Sequence, residues 1–393
     1  MKLVVIILTS IFHSFYDWFG IMYYYEHVGY LLQGQIPYIQ FDYEYPILVF
    51  IPSLIAMIPS FVFGSKEAFV FTFSGLMVIC DCITTVCIYL IAKKIWDDEF
   101  RAYVAALVYT TAISAMYFVL FEYSSSASCI LMLTLTAVVY GKDFLIKDGG
   151  YLGLTIGFFI KAYPAFAVPF VAFYHAHTTS LKAEIIRGAK SILPVVAVLL
   201  VPFVIFNLSS LKTYIPARLE FNYFPNTIIW TVHVWLHDIL GINVSQDIVM
   251  TGIYAGMICI AGALLYAGYK YPEKDAKVML QLTLGLIMVI VLGFKVRSPQ
   301  YIVWFTPFLC ILIVDDIRKV MFFYFTQILA FVEFPLTFWS FWTNVEYTNP
   351  LKSMNWTMTL LFFTVEFGSL VLLVWWVIDP VSIYKKIRSA QVS

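Results

Sequence analysis

Long apolar blocks separated by short polar segments make up most of this 393-residue chain. Many of the blocks approach 20 residues, the length that an α-helix needs to cross ~30 Å of hydrocarbon. We therefore predict an all-α polytopic membrane protein with about twelve transmembrane helices. The predicted spans are 3–22, 67–92, 101–121, 126–140, 151–161, 164–177, 190–207, 248–269, 277–294, 300–314, 320–341 and 356–378.

The apolar segment 46–63 is ambiguous because it contains Pro46, Pro52 and Pro59. Prolines at this spacing are unfavourable for a regular span. If the segment crossed the membrane, every later loop would change sides. We predict that it is re-entrant or forms a short broken helix, and the distribution of cations is the reason.

The composition is 62% apolar and 12% charged, with 24 basic and 24 acidic residues. It excludes a soluble enzyme, a disordered protein and a nucleic-acid binder with a basic face. With a cytoplasmic N-terminus and a segment 46–63 that does not cross, 17 of the 24 cations fall on the cytoplasmic side. This agrees with the positive-inside rule. The seven outer cations are Lys66, Lys161, Lys212, Arg218, Lys295, Arg297 and Lys352.

Segments 151–161 and 164–177 are too short to be ordinary spans, and they meet at residues 161–164. Irregular backbone at membrane depth is tolerated where it is buried in protein or lines a cavity. We therefore predict two half-length helices beside a cavity on the outer side. We also expect a core at 1–314, with a long outer loop at 208–247, followed by C-terminal helices and a short tail at 315–393.

The first outer loop, residues 17–46, is rich in tyrosine and carries four carboxylates. Its middle part has apolar residues at helical spacing, which predicts an amphipathic helix at the membrane interface. The alternative interpretation is a solvated belt of tyrosines, since Tyr favours this depth. The four carboxylates are Asp17, Glu26, Asp42 and Glu44.

The outer cations at Lys161, Arg218 and the pair Lys295 and Arg297 all adjoin predicted spans. Each alone could be a cation whose head reaches the interface. Together, opposite a carboxylate-rich loop, they favour a site for a lipid-anchored phosphate. Transfer of a sugar from a lipid phosphate needs one general base for the acceptor hydroxyl. A single displacement of this kind inverts the anomeric carbon.

Three segments together resemble a known family. The loop segment YYYEHVGYLLQGQIPYIQFDYEYPILVFIPSLI is similar to the first lumenal loop of GT-C-fold glycosyltransferases, and FFIKAYPAFAVP and KVRSPQYIVWFTPF resemble the same group. The likeness is to family-87 polyprenyl-phosphate-mannose-dependent mannosyltransferases, and more distantly to the eukaryotic enzyme that adds the first mannose of the GPI anchor. The resemblance implies a GT-C-like bundle whose first extracytoplasmic loop carries interfacial helices. It also implies that a polyprenyl- or dolichyl-phosphate sugar, with mannose expected, is the donor.

The chain departs from the family pattern in three places. Gly20 stands where the family aspartate is usual, Ile47 where a second proline is common, and Gln40 where an aspartate is frequent. Asp17 lies about one helical turn before Gly20 and is our first candidate for the base. The other candidates are Glu44 and Asp42.

The resemblance and the residue pattern together give a set of expected binding residues. Trp230 is a further candidate for stacking on a sugar. The expected substrate-binding residues are Glu26, Tyr38, Tyr43, Lys161, Tyr163, Arg218, Lys295, Arg297, Gln300 and Tyr301.

The expected acceptor is a glycan or glycolipid, and we expect no nucleic-acid partner. The expected place is the lipid bilayer, in the plasma membrane of a prokaryote or the ER membrane of a eukaryote, with an extracytoplasmic site. We predict no cofactor. A divalent metal at His233, His237 and Asp238 is not favoured, because their spacing is loose. The competing functions are a transporter or flippase of a lipid-linked or anionic substrate, and a non-catalytic assembly subunit.

Overall fold

A computed structural model describes residues 18–41, 43, 45–141, 148–206, 227–295, 297–333 and 356–392. Some of the predicted features lie outside these residues. They are the greater part of the first span, the three candidate bases Asp17, Asp42 and Glu44, and the cation Arg218.

The described residues form helices and no β-strand, which confirms the all-α prediction. Short 3₁₀ turns at Ile47–Val49, Tyr163–Ala167 and Pro299–Tyr301 lead into three of the helices, and a π-helical turn at Trp235–Ile239 follows another. The helices are α1 (Trp18–Leu32), α2 (Phe50–Phe63), α3 (Lys66–Trp96), α4 (Glu99–Thr110), α5 (Ile113–Phe121), α6 (Ser124–Tyr140), α7 (Tyr151–Ile160), α8 (Val168–Ala176), α9 (Leu181–Phe206), α10 (Ile228–Val234), α11 (Gln246–Lys270), α12 (Ala276–Gly293), α13 (Ile302–Leu312), α14 (Ile317–Phe331), α15 (Trp356–Ile378) and α16 (Pro380–Val392).

Four helical stretches are long and apolar enough to cross a membrane, and the chain is an integral membrane protein. They are Lys66–Trp96, Gln246–Lys270, Ala276–Gly293 and Leu360–Val392, the last of which joins α15 to α16. The number of about twelve spans, the side of each loop and the boundary at residue 314 stay predictions.

Polar side chains fix the starts of several helices. Ser65 accepts the Ala68 N–H at the start of α3. Asp98, Asp275 and Asp316 accept backbone N–H groups at the starts of α4, α12 and α14. Each cap satisfies N–H groups that have no partner within the first helical turn.

Two helices form the centre of the bundle. Every residue of α13 is buried, and so are most residues of α6, including a run of serines at its start. Both helices pack against α3. In contrast, α11 buries only Val249 and Gly268, so its apolar surface faces the surroundings. A helix with apolar side chains all round and an exposed surface is expected in lipid.

The first described helix fits the amphipathic prediction. In α1, Ile21, Tyr24 and Val28 are buried, at the spacing of one helical face. Residues 18–22, which we assigned to the end of the first span, are helical and lie in α1.

The predicted span 101–121 is wrong as a single helix, because the chain breaks between α4 and α5 at Thr111 and Ala112. The Thr111 hydroxyl bonds to the Leu107 carbonyl oxygen at 2.7 Å and to the Tyr324 hydroxyl at 2.5 Å. A threonine that bonds back to the preceding turn and to another helix favours a helix end.

The two predicted half-length helices are present. Helix α7 ends at Ile160, Lys161 is extended, and the chain resumes as the turn Tyr163–Ala167 and α8. Gly157 allows this corner, because a Cβ at that position would lie 2.8 Å from the Pro164 Cβ.

Segment 46–63 is helical, with the turn Ile47–Val49 followed by α2. At ~1.5 Å per residue its length is about 25 Å, less than the ~30 Å of the hydrocarbon core. Near its start, Phe50 stacks on Tyr43, which in turn lies 6.0 Å from Tyr23 on α1. Just after its end, Lys66 lies over the Tyr25 ring, also on α1. Contacts of both ends with the same part of α1 favour a segment that does not cross.

Candidate functional site

Lys161 lies at the corner between α7 and α8 and is buried, with 6% of its surface exposed. Its Nζ is 2.5 Å from Glu122 Oε1 and 2.5 Å from Ser124 Oγ. A lysine buried to this degree does not extend to the interface, so the alternative interpretation of Lys161 as a snorkelling cation is wrong. Its charge is matched by the Glu122 carboxylate.

Glu122 is held on its other side by a helix start. Its Oε2 accepts the Ser124 N–H at 2.7 Å, at the beginning of α6. The partial positive charge at a helix N-terminus stabilises a carboxylate there. Lys161 and α6 therefore hold this buried carboxylate from two directions.

Aromatic rings surround the Lys161 ammonium. Its Nζ lies 4.4 Å from the Tyr123 ring centroid, 5.4 Å from that of Trp304 and 5.9 Å from that of Tyr301. Trp304 stacks on Tyr163 on one side and on Tyr301 on the other, at centroid distances of 4.7 and 4.1 Å. Cation–π attraction to these rings stabilises the buried ammonium and offsets part of the cost of removing it from water.

Hydroxyl groups complete this arrangement. The Tyr163 hydroxyl is 2.6 Å from Ser128 Oγ on α6, and the Trp304 Nε1–H donates to Ser124 Oγ at 3.3 Å. We call the set Glu122, Tyr123, Ser124, Lys161, Tyr163, Tyr301 and Trp304 the Lys161 cluster.

The first loop reaches the Lys161 cluster through its tyrosines. Tyr24 and Tyr45 pack edge-on against Tyr123, with centroid distances of 5.6 and 5.0 Å. Tyr43 is buried and lies 5.8 Å from Tyr45. The three segments that resemble the glycosyltransferase family, far apart in sequence, therefore meet around one buried ion pair.

Other predicted binding residues lie at varying distances from this centre. The Tyr38 hydroxyl donates to the Tyr45 carbonyl oxygen, so Tyr38 joins the edge of the tyrosine group. Gln300 pairs with Ser298 at the turn before α13. Glu26 is exposed on α1, on a different face from the buried Tyr24, and the structure does not bring it to Lys161. Lys295 is half-buried after α12 and has no ion pair among the described residues.

Arg297 belongs to a separate buried group. Its Nη1 donates to Glu333 Oε1 at 3.0 Å and its Nη2 donates to Glu366 Oε1 at 2.7 Å. All three side chains are at least nine-tenths buried. The interpretation of Arg297 as an interfacial cation with an exposed head is therefore wrong, and two carboxylates already occupy its guanidinium. We call Arg297, Glu333 and Glu366 the Arg297 triad.

Trp230 also lies elsewhere. It packs with Phe363, Phe367 and Leu360 in a second apolar group, near the Arg297 triad rather than the Lys161 cluster. In the loop that follows it, His237 bonds to Asp238 at 2.8 Å. The described part of the chain contains no group of three or more His, Cys, Asp or Glu side chains that could hold a metal ion.

The sequence pattern did not identify Glu122 and Ser124 as partners of Lys161. A signal was present, because EYSSSAS places a carboxylate and four serines at the start of an apolar helix. A polar start to a buried helix suggests a buried polar partner on another helix. It does not specify which partner.

The likeness described above rests on the residues of this chain alone. No protein-family model matches the chain, and no curated protein matches it.

Proposed function

We propose that this protein is an inverting GT-C-type glycosyltransferase. In this proposal it moves a sugar, with mannose expected, from a polyprenyl- or dolichyl-phosphate donor to a glycan or glycolipid acceptor. The observation that carries the proposal is the meeting of the first-loop tyrosines, the corner at Lys161 and the turn before α13 in one aromatic-lined region. Aromatic faces suit the apolar faces of a sugar ring.

The proposed reaction is a single displacement. The acceptor oxygen forms a bond to the anomeric carbon, and the bond from that carbon to the phosphate oxygen breaks. A carboxylate, for which Asp17, Asp42 and Glu44 are the candidates, takes the acceptor proton, and the phosphate leaves with the bonding electrons. Tyr43 and Tyr45 precede and follow Glu44, and both belong to the tyrosine group near Tyr123.

The neutral pair of Lys161 and Glu122 changes the expected role of Lys161. An ammonium bonded to a carboxylate at 2.5 Å does not bring a net positive charge to a phosphate. We infer that Lys161 positions Tyr123, Tyr301 and Trp304 and polarises the site. The phosphate charge is then met by the other outer cations, for which Lys295 and Arg218 are the candidates.

A transporter is the second candidate, and the Arg297 triad favours it. The triad buries one arginine and two glutamates, an excess of one carboxylate. Ionisable groups inside a membrane protein mark ion and proton pathways in many transporters. A lipid flippase would use such groups to couple movement of its substrate to an ion.

The deciding experiment uses purified protein and radiolabelled polyprenyl-phosphate-mannose with a membrane extract as the acceptor source. We expect label to reach an acceptor, and we expect loss of transfer with retained donor binding for one of Asp17→Asn, Asp42→Asn and Glu44→Gln. The matched control is Glu67→Gln, an exposed carboxylate at the start of α3. Full activity in all three variants would remove the proposed base. Lipid scrambling without sugar transfer would favour the transporter.

A further inference from the structure

A second concave region lies at the other end of α13 from the Lys161 cluster. It is a groove of about 920 Å³ between α12, α14 and the junction of α15 with α16. Trp304, near the start of α13, contacts Ser124, whereas Leu312, at the end of α13, lines the groove. The groove is therefore separate from the proposed sugar site.

Two local features form the groove. The Gln281 Nε2–H donates to the Val377 carbonyl oxygen at 2.7 Å and ties α12 to the last turn of α15. Two residues later Asp379 has a φ of +48°, which ends α15 before α16 begins at Pro380. The chain thus bends at the mouth of the groove, and Lys386 from α16 forms part of its wall.

The groove is lined by three lysines and three aspartates, and most of them have partners within the protein. Lys319 pairs with Asp315 at 2.9 Å, and Lys386 pairs with Glu273 at 2.5 Å. The carboxylates of Asp275 and Asp379 accept backbone N–H groups at the starts of α12 and α16. The charged residues of the lining are Asp275, Lys277, Asp315, Lys319, Asp379 and Lys386.

Lys277 differs from the other two lysines. Its Nζ lies 4.0 Å from the centroid of the Trp96 ring and has no ion pair or hydrogen bond with any residue that the structure describes. The aspartate nearest in sequence, Asp275, uses an oxygen to accept the N–H groups of Lys277 and Val278. Lys277 therefore lies in the wall of the groove, within electrostatic range of Asp315 and Asp275 but without an ion pair or hydrogen bond from its ammonium to either carboxylate.

The groove continues onto a surface that suits lipid. Leu372 and Trp375 of α15 line it and are 63% and 61% exposed, although they belong to a stretch apolar enough to cross a membrane. Trp376 lies beside them and faces Lys319. Exposed apolar side chains on a spanning helix contact acyl chains, and tryptophan favours the level of the headgroups.

We propose that the groove binds a membrane phospholipid. Its phosphate bonds to the Lys277 ammonium, and an acyl chain lies along Leu372 and Trp375. Basic pockets between helices at the cytoplasmic level bind phosphate headgroups in other membrane proteins, and the sequence places Lys277, Lys319 and Lys386 on the cytoplasmic side. We choose a phospholipid as the occupant because the groove combines two features. One is an ammonium that has no ion pair, and the other is an apolar surface that faces lipid.

The test measures binding of phosphatidylglycerol to delipidated protein in detergent by native mass spectrometry. Lys277→Gln removes the charge and keeps most of the side-chain length. Losing a hydrogen bond to a charged group is expected to weaken binding roughly tenfold. Lys277→Arg restores the charge and should bind like wild type. The matched control is Lys270→Gln, an exposed lysine near the same end that does not line the groove.

Two competitors separate the sources of the phosphate. We expect neither diacylglycerol, which lacks the phosphate, nor glycerol 3-phosphate, which lacks the chains, to displace phosphatidylglycerol at equal concentration. Equal binding by Lys277→Gln and wild type would overturn the proposal. Equal displacement by diacylglycerol would reduce the groove to an apolar contact, and equal displacement by glycerol 3-phosphate would make it a site for a soluble phosphate. No sugar transfer is measured, so the outcome is independent of the glycosyltransferase proposal.

Discussion

Lys161 and Glu122 form an ion pair whose side chains are only 8% and 7% exposed. Moving two charges out of water is costly, and their attraction repays this only when the geometry is good and the remaining polar atoms have partners. Here Ser124 supplies its hydroxyl to Lys161 and its N–H to Glu122. The pair is therefore a structural centre as well as part of the candidate site.

Replacing Glu122 by glutamine should destabilise the protein strongly, because Lys161 would remain buried without its carboxylate. We expect a loss of about 3–5 kcal/mol in the free energy of unfolding. The double variant Glu122→Gln/Lys161→Met should recover much of that loss, since the uncompensated charge is gone. Thermal unfolding in detergent provides the measurement, with the exposed Glu67→Gln as control. Equal stability of Glu122→Gln and Glu67→Gln would contradict the assignment.

Two substitutions in the Arg297 triad should differ in how much they destabilise the protein. Arg297→Met leaves two buried carboxylates facing one another, and we expect it to cost about 3–5 kcal/mol. Glu366→Gln leaves Arg297 bonded to Glu333 at 3.0 Å and removes the second carboxyl group of the triad, so its cost should be smaller. The same unfolding assay compares the two variants. A larger loss in Glu366→Gln than in Arg297→Met would show that the second carboxylate is required as a charge.

Residue types were predictable from the sequence, but their partners were not. Lys161 and Arg297 stand out as cations at or beside predicted outer span ends, and Glu333 and Glu366 as carboxylates inside the predicted spans 320–341 and 356–378. Glu333 and Glu366 lie 36 and 69 positions from Arg297. Which charged residues contact one another depends on how the helices pack. The hydrophobic periodicity of the sequence does not specify this packing.

At the scale of the elements, the corner between α7 and α8 depends on close packing at Gly157. A methyl group there would lie 2.8 Å from the Cβ and 3.0 Å from the Cγ of Pro164, whose ring cannot rotate away. We expect Gly157→Ala to cost about 1–3 kcal/mol, in the range of overpacked cores. The variant should also disturb the Lys161 cluster that this corner positions.

The control for Gly157→Ala is Gly75→Ala in α3, where nothing lies within 4 Å of the added methyl group. Alanine favours a helix over glycine by about 1 kcal/mol, so this variant should be neutral or more stable. Thermal unfolding of both proteins makes the comparison. A Gly157→Ala protein as stable as Gly75→Ala would mean that α7 and the turn after it can separate without cost.

Apolar length and proline positions predicted the two half-length helices correctly, because Pro164 and the shortness of each segment are local signals. They did not predict the break between α4 and α5. That break involves the bond from Thr111 to Tyr324, which lies 213 positions away. The local sequence pattern thus predicted the elements whose ends are determined by nearby residues. It missed the break between α4 and α5, which a contact with a distant helix stabilises.

At the scale of the whole molecule, the 24 cations and 24 acids balance in number, but the cations differ in their surroundings according to where they lie. Lys94, Lys274 and Lys277, all predicted to be cytoplasmic, line a single hollow. Lys161 and Arg297, predicted to be on the outer side, are instead buried with carboxylate partners. The shared hollow agrees with a common side for those three lysines, which stays a prediction, and the charge bias did not reveal that two of the outer cations are internally paired.

The status of segment 46–63 decides the topology of everything after it, and labelling of single cysteines can test it. We would place cysteine at Gln33 after α1, at Lys66 at the start of α3, or at Lys274 before α12, with the exposed Cys82 and Cys259 replaced by alanine. All three positions are exposed. A membrane-impermeant maleimide added from outside intact cells should label the first two and not the third.

Two independent features of the chain support that labelling pattern. Helix α2 and the turn before it are too short for a full crossing, and Lys66 lies over the Tyr25 ring of α1, so positions 33 and 66 should face the same side. Helix α3 is long enough to cross a membrane, so we expect its last turn at the opposite side. Labelling of Gln33→Cys and Lys274→Cys together, with Lys66→Cys protected, would mean that segment 46–63 crosses. All of the 17 cations except Lys2 would then lie outside, against the positive-inside rule, and the Lys161 cluster would belong to the cytoplasmic half of the protein.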